Sequence, residues 1–260
     1  LSSCKSPHEM FGAVIKSYYA EKEGIDPAKI VSVSIMPCTA KKFEAQRPEL
    51  GHNGLQDVDI VLTTRELAQM IKEARIEFEK CEGEFENPFG PASGAGVIFG
   101  ATGGVMEAAL RTVADVLTGE DLESIEYTEV RGMEDIKEAT YDVAGMQVKV
   151  AVTSGLKNAA KLLDKVKAGE ADYQFIEVMC CPGGCINGGG QPIVDGHTRN
   201  FVDVKGLRAA ALYEDDKNLE YRKSHKNPEI KAIYDEYLGE PGSHKAHELL
   251  HTSYVARPKY

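Results

Sequence analysis

Tryptophan is absent from the 260 residues, and the longest apolar runs, such as Ile30–Met36, are only strand-sized. A bilayer crossing takes roughly 18 apolar residues, so no membrane span is expected. Positive charge is also short: 30 Lys and Arg stand against 41 Asp and Glu, a net charge of −11. A surface that acidic argues against nucleic acid or an anionic membrane as the main partner. Cysteine is sparse, with six residues. A chain of this length buries roughly 70–75% of its unfolded surface and needs no disulfide staples. Low-complexity tracts and internal repeats are missing too. The remainder, 42% hydrophobic and 27% charged, is an ordinary globular composition. At about 150 residues per domain it amounts to one large domain or two lobes sharing a cleft.

The chain opens Leu1-Ser2-Ser3-Cys4-Lys5, with no Met and no basic, apolar leader. It reads as a segment entered partway through a longer product, and the cytoplasm is the default compartment. Pro7 precedes a helical stripe at Phe11, Val14, Ile15 and Tyr18, ended by Gly24. Ile30–Met36 and Asp59–Thr64 read as strands, and Thr64 as the cap of a helix facing the core through Leu67, Met70, Ile71 and Ala74. Residues 81–96 read as loop and Val97–Phe99 as a short strand; the glycines of 100–104 then turn the chain into a helix through Met106, Leu110, Val113 and Leu117. Tyr141–Val152 is a predicted hairpin around Ala144-Gly145. Leu156, Ala159, Ala160 and Leu163 mark another helix, and Phe175–Met179 another strand. Helices near 206–214 and 228–238 lead to a basic tail. Strands alternating with helices predict an α/β fold, two lobes of mainly parallel sheet flanked by helices. Such folds bind ligands at the carboxyl ends of strands. The segments around Cys38, Gly100 and Cys181 all fall at predicted strand ends.

Chemistry concentrates in Cys181-Pro182-Gly183-Gly184-Cys185 and the following Ile186-Asn187-Gly188-Gly189-Gly190-Gln191-Pro192. Two thiolates separated by proline and two glycines can fold around one compact soft metal centre. The glycines let backbone N–H groups approach sulfur and stabilise a negatively charged cluster. Zinc accepts this spacing, but a second close pair is missing and only Cys38 offers another well-placed thiol. That pattern favours an iron–sulfur cluster over structural zinc. Cys4, Cys81 and Cys180 read as uninvolved thiols.

Two long segments, Met36-Pro37-Cys38-Thr39-Ala40-Lys41-Lys42-Phe43-Glu44 and Phe175-Ile176-Glu177-Val178-Met179-Cys180-Cys181-Pro182-Gly183-Gly184-Cys185, resemble signatures of the diiron, FeFe-type hydrogenases in their catalytic domain. Leu1–Pro7, Phe99–Val105, Val130-Arg131-Gly132 and Ala246-His247-Glu248 resemble that family as well, so the likeness spans essentially the whole chain. It implies an H-cluster, a metal cluster buried in the cleft between the two lobes: a 4Fe–4S cluster joined to a diiron subcluster bearing CO, CN⁻ and a bridging dithiolate. Cys38 and Cys181 match cluster ligands, and Cys185 the ligand that bridges to diiron. Lys41 matches the ammonium that donates to an iron-bound cyanide. Met36, Met179, Ser6, Pro7 and Phe99 match pocket walls, and Ser2 a serine of the proton path. The family's first signature, with a fourth cluster cysteine and a proton-delivering cysteine, is expected upstream of Leu1.

The resemblance implies reversible oxidation of H₂, with protons and H₂ as substrates. It also implies ferredoxin or further Fe–S and flavin subunits as electron partners, and maturation proteins. Alternatives are a non-catalytic Fe–S relative in cluster assembly, an H₂ sensor and a zinc module. His8 stands where many family members have glutamine, and reads as a residue that preserves a hydrogen bond. The glycines of 100–104 lack the Lys-Ser/Thr of a phosphate loop. His244, His247 and His251 share a helical face without a fourth ligand, and Glu82, Glu84 and Glu86 read as solvated surface.

Overall fold

The computed structural model describes residues 1–123 and 125–258; the last two residues of the basic tail lie outside it. The chain divides into two compact units. The first is built from three stretches, Leu1–Phe85, Gly189–Pro192 and Lys231–Tyr260, and the second from Glu86–Gly188 and Ile193–Ile230.

In the first unit, β1 (Val33–Met36) pairs in parallel with β2 (Ile60–Thr63), Val33 opposite Ile60 and Met36 opposite Thr63. The helix predicted after Pro7 is present, but it loosens into a π-helical turn over Ile15–Tyr19 before Gly24 ends it in the left-handed conformation. Val14 and Tyr18 are buried as expected, whereas Phe11 is exposed. A small core of Ala45, Val58 and Val61 carries Met36 against it. The burial of β1 runs opposite to its hydropathy: Ser34 is buried while Val33 and Ile35 are exposed. Ser34 faces inward because its hydroxyl bonds to the ring of buried His8.

Two local expectations need correction. Thr63, not Thr64, caps the helix Thr64–Glu73, in a box where the Thr63 hydroxyl accepts from the Glu66 N–H and the Glu66 carboxylate accepts from the Thr63 N–H. No residue of that helix is fully buried: Leu67 and Ile71 are only partly covered and Met70 is half exposed, so its apolar stripe lies at the edge of the core rather than in it.

In the second unit, β3 (Ile136–Val143) and β4 (Met146–Ser154) form an antiparallel hairpin, and β5 (Phe175–Met179) joins β4 in parallel. The order is β3-β4-β5, so this sheet is mixed rather than mainly parallel. The hairpin turns at Ala144-Gly145, both with positive φ (53° and 79°), the geometry of a tight two-residue turn. The core joins Met106 and Leu110 of the helix Gly104–Thr118 to Val130, Val150 and Val152. Val97–Phe99 is not a strand. Gly94–Val97 is a helical turn that continues as a 3₁₀ turn over Ile98–Gly100. The Gly94 and Ala95 N–H groups are taken by the carbonyls of Tyr221 and Arg222, which leaves no strand for this segment to join. The helix Leu156–Lys167 buries Ala159 and Leu162 and leaves Leu156 and Leu163 exposed. Its inward face is therefore rotated from the predicted stripe. Among the described residues no helix is long and apolar enough to cross a membrane.

Candidate metal centre

None of the six cysteines is in a disulfide; Cys38, Cys181 and Cys185 are partly buried, and Cys4, Cys81 and Cys180 are exposed. Cys38 and Cys181 lie just beyond the carboxyl ends of strands, and Cys185 stands at the far side of the loop that Cys181 opens.

In the first unit, β1 ends at Met36 and the chain passes through Pro37-Cys38 into the short helix Ala40–Glu44. The glycine run lies against this strand end. Gly190 N–H donates to Pro37 O at 3.1 Å, and a Cβ at Gly190 would come within 2.7 Å of Cys38 N and 2.8 Å of Pro37 C. Only glycine permits that approach. Arg65 holds the run from outside, its Nη1 donating to Gln191 O at 2.9 Å. Lys41 Nζ donates to Glu44 Oε2 at 2.5 Å, and His8 Nε2 lies 3.0 Å from the same oxygen. Burial would raise the Glu44 carboxyl, but the hydrogen bonds from His8 and Lys41 hold it down to about 2. Glu9 is fully buried, and neither of its oxygens makes a hydrogen bond.

In the second unit, β5 ends at Met179 and Cys181–Cys185 makes a tight loop closed by Gly184 N–H on Cys181 O at 2.9 Å. Gly183 and Gly184 both have positive φ (87° and 94°), and a Cβ at Gly184 would sit 2.7 Å from Gly100 O and 2.8 Å from Thr102 N. The loop is thus seated on the Gly100–Thr102 backbone, with Thr102 N–H donating to Gly183 O at 3.1 Å. Asn187 Nδ2 and Arg208 Nη1 brace it through Pro182 O and Ile186 O. Beneath it, Glu177 accepts from the N–H groups of Gly103 and Met106 at 2.7 Å each, capping the helix Gly104–Thr118. Burial raises its carboxyl even so.

Of the residues named from sequence, Lys41, Met36, Ser6 and Pro7 lie with Cys38 in the first unit, and Phe99 and Met179 with Cys181 and Cys185 in the second. Met36 packs on the Ala45–Val61 core, and the Ser6 hydroxyl is buried without a partner. Ser2 is exposed at the chain end, its hydroxyl accepting from Cys4 N–H at 3.2 Å. His247 and His251 lie with tilted rings, centroids 4.3 Å apart, and among the described residues no third metal donor joins them; Glu82, Glu84 and Glu86 are exposed. Sequence reasoning passed over Glu9, Glu44 and Glu177. Glu44 closes the Lys41 segment at i+3, a signal that was available, whereas nothing local marks the other two.

Each unit offers soft thiols in a loop pinned by glycine, Cys38 in the first and Cys181 and Cys185 in the second, a donor type that suits iron–sulfur ligation. Comparison with known proteins points the same way. "Iron only hydrogenase large subunit, C-terminal domain" matches residues 1–189, and "Iron hydrogenase small subunit" matches residues 202–257. The chain is 50% identical to iron hydrogenase 1 of Clostridium pasteurianum over 98% of its own length and 44% of that protein's. It therefore spans less than half of that relative. An apo FeFe-hydrogenase from Chlamydomonas reinhardtii superposes with a TM-score of 0.80 at 46% identity, covering 98% of this chain and 70% of the other. More distantly, a cytosolic Fe–S cluster assembly factor from Danio rerio is 30% identical across the whole chain and 63% of that protein.

Proposed function

Because the chain belongs to the iron-only hydrogenase family, through the C-terminal domain of its large subunit, we propose that it interconverts H₂ with two protons and two electrons. Family members carry an H-cluster, a 4Fe–4S cluster joined to a diiron subcluster. When bound, that group supplies the electron transfer and the heterolytic cleavage of H₂.

The protein's share is ligation, burial and proton handling. Cys38 and Cys181 would hold the 4Fe–4S cluster as thiolates and Cys185 would bridge to diiron, with a further ligand from outside these residues. Lys41 would turn its ammonium to an anionic cyanide, a charge-assisted donor in a dry setting. Met36 and Met179 would supply soft apolar bulk, Ser6, Pro7 and Phe99 the wall, and Ser2 a hydroxyl on the proton route. Electrons would leave to ferredoxin or to further Fe–S and flavin subunits.

The observation that carries this reading is the pair of glycine-locked strand ends. Gly190 against Pro37-Cys38 in the first unit and Gly184 against Gly100–Thr102 in the second seat each thiol-bearing loop on backbone that a side chain would push away. The test is infrared spectroscopy of the anaerobically matured, full-length parent. Iron-bound CO and CN⁻ stretches that shift under H₂ are expected, and a 4Fe–4S signal without them would favour a cluster-assembly role instead. The assembly-factor similarity over the whole chain makes that the second reading. Lys41→Ala should cost most of the diiron signal, and near-normal turnover in that variant would overturn the role given to Lys41. Alanine at Cys38, Cys181 or Cys185 should lower bound iron and sulfide, whereas Cys81→Ala should leave both unchanged.

A further inference from the structure

Beside the Lys41 segment the first unit encloses a group that ligation does not use. His8 Nε2 stands 3.0 Å from Glu44 Oε2 and 3.2 Å from Glu9 Oε1, and His8 Nδ1 stands 2.9 Å from Ser34 Oγ. Among the described residues, His8, Glu9 and Glu44 are the group of three metal-type donors whose ligand atoms lie within 4.8 Å of one another. Glu9 is fully buried, and neither of its oxygens makes a hydrogen bond, the His8 ring being near Oε1 but not aligned for one. A buried carboxylate in that condition demands a positive charge. Two can be supplied: a proton or a metal ion.

Charge decides between them. With Glu9 and Glu44 ionised and Lys41 cationic, the group carries −1 when His8 is neutral. One proton brings it to zero. A divalent cation would leave +1 in a buried place and displace Lys41 from Glu44 Oε2. The neighbouring charges do not alter this, because Lys5 and Asp57 neutralise each other in a buried pair at 2.6 Å and His52 lies 3.2 Å from the second Asp57 oxygen.

We propose that His8, Glu9 and Glu44 form one proton-binding site whose charge positions Lys41. With Glu9 protonated, Lys41 is held by Glu44 alone and its ammonium is available to an anion. With Glu9 ionised, a second negative charge draws the ammonium back. Burial, together with Glu44 and Asp57, raises the Glu9 carboxyl to about 7 against the pull of Lys41 and Lys5, which places the exchange near neutrality. Glu9 and Glu44 are positioning residues here, acting on chemistry through Lys41. The consequence for Lys41 rests on the function proposed above; the proton site does not.

The experiment is infrared difference spectroscopy of the full-length parent across pH, with and without its metal centre. Loss of one protonated-carboxyl band is expected as pH rises through about 7, and in the loaded enzyme the cyanide stretches should shift over the same interval. Glu9→Gln should abolish both changes and fix the cyanide bands at the parent's low-pH positions. Glu44→Gln, which removes a like charge while keeping Glu9, should move the midpoint to lower pH; it also serves if the first variant does not fold. A titration that persists in Glu9→Gln, or an unmoved midpoint in Glu44→Gln, overturns the proposal. So does stoichiometric Zn²⁺ binding that Glu9→Gln removes, since the group would then hold a cation. Missing cyanide bands with the carboxyl titration intact would sink the hydrogenase reading and leave the proton site standing.

Discussion

Glu44 and Glu9 lie within a few ångströms of one imidazole, yet their environments push them in opposite directions. Glu44, held down to about 2 by His8 and Lys41, stabilises the fold by an amount complete above the unfolded carboxyl value of about 4.5 and lost as pH falls toward 2. Glu9, raised to about 7, does the reverse: its contribution is complete below about 4.5 and lost as pH climbs through 7. Each shift corresponds to about 3 kcal/mol. Urea midpoints measured from pH 5 to 8.5 should therefore fall on the alkaline side, and Glu9→Gln should flatten that fall. A variant that tracks the parent at every pH would refute the assignment. The Lys5–Asp57 pair offers a second check at this scale. Lys5→Ala leaves the fully buried Asp57 carboxylate with only the Gly51 N–H and His52, and chemical denaturation should show a loss of about 3 kcal/mol, the lower end for a broken buried pair. The cysteines were legible from sequence because a thiol motif is local. Glu9 and Glu44 are 35 positions apart, and only the fold brings their carboxyls to one ring.

Elements were legible where punctuation is strong and misread where tertiary contacts prevail. The turn at Ala144-Gly145 emerged from its spacing, but it places an alanine at φ 53°. Ala144→Gly removes that strain and should raise stability by about 0.5–1 kcal/mol in a thermal melt. Thr63→Ala should cost about 1 kcal/mol by opening the capping box, whereas Thr64→Ala should do little, separating the observed cap from the predicted one. Residues 97–99 looked like a strand because valine, isoleucine and phenylalanine favour extended backbone. Carbonyls from Tyr221 and Arg222 impose a helical turn instead, and no local signal announces a partner more than 120 positions away. At the cysteine loop, Gly184→Ala meets both a glycine-only conformation and the Gly100 carbonyl. It should destabilise by at least about 2 kcal/mol, seen as a lowered denaturation midpoint.

At the scale of the whole chain, the second unit is organised around a buried polar knot. Arg111, 1% exposed, donates to Glu107 and in bidentate fashion to Asp216. Arg131 reaches Glu107, and Arg222 reaches Asp216. Arg111→Met should cost about 3 kcal/mol, the lower end for a broken buried pair, because Arg131 and Arg222 still reach the two carboxylates. The α/β class and the strand-end thiols were readable from sequence. The way the chain is partitioned was not, since the first unit draws on three stretches interrupted by residues 86–188 and 193–230.

That partition has a temporal side. Translation passes Leu1–Phe85 before the rest of these residues, so the stretch around Cys38 lacks its last partner stretch until Lys231 and beyond have been made. The second unit needs nothing later than Ile230, so during synthesis it can close first. The surroundings of Cys38, the earliest of the three thiols to be translated, are among the last to be finished. Any delivery of iron and sulfide that needs all three in place must wait until Lys231 and the residues after it have been made.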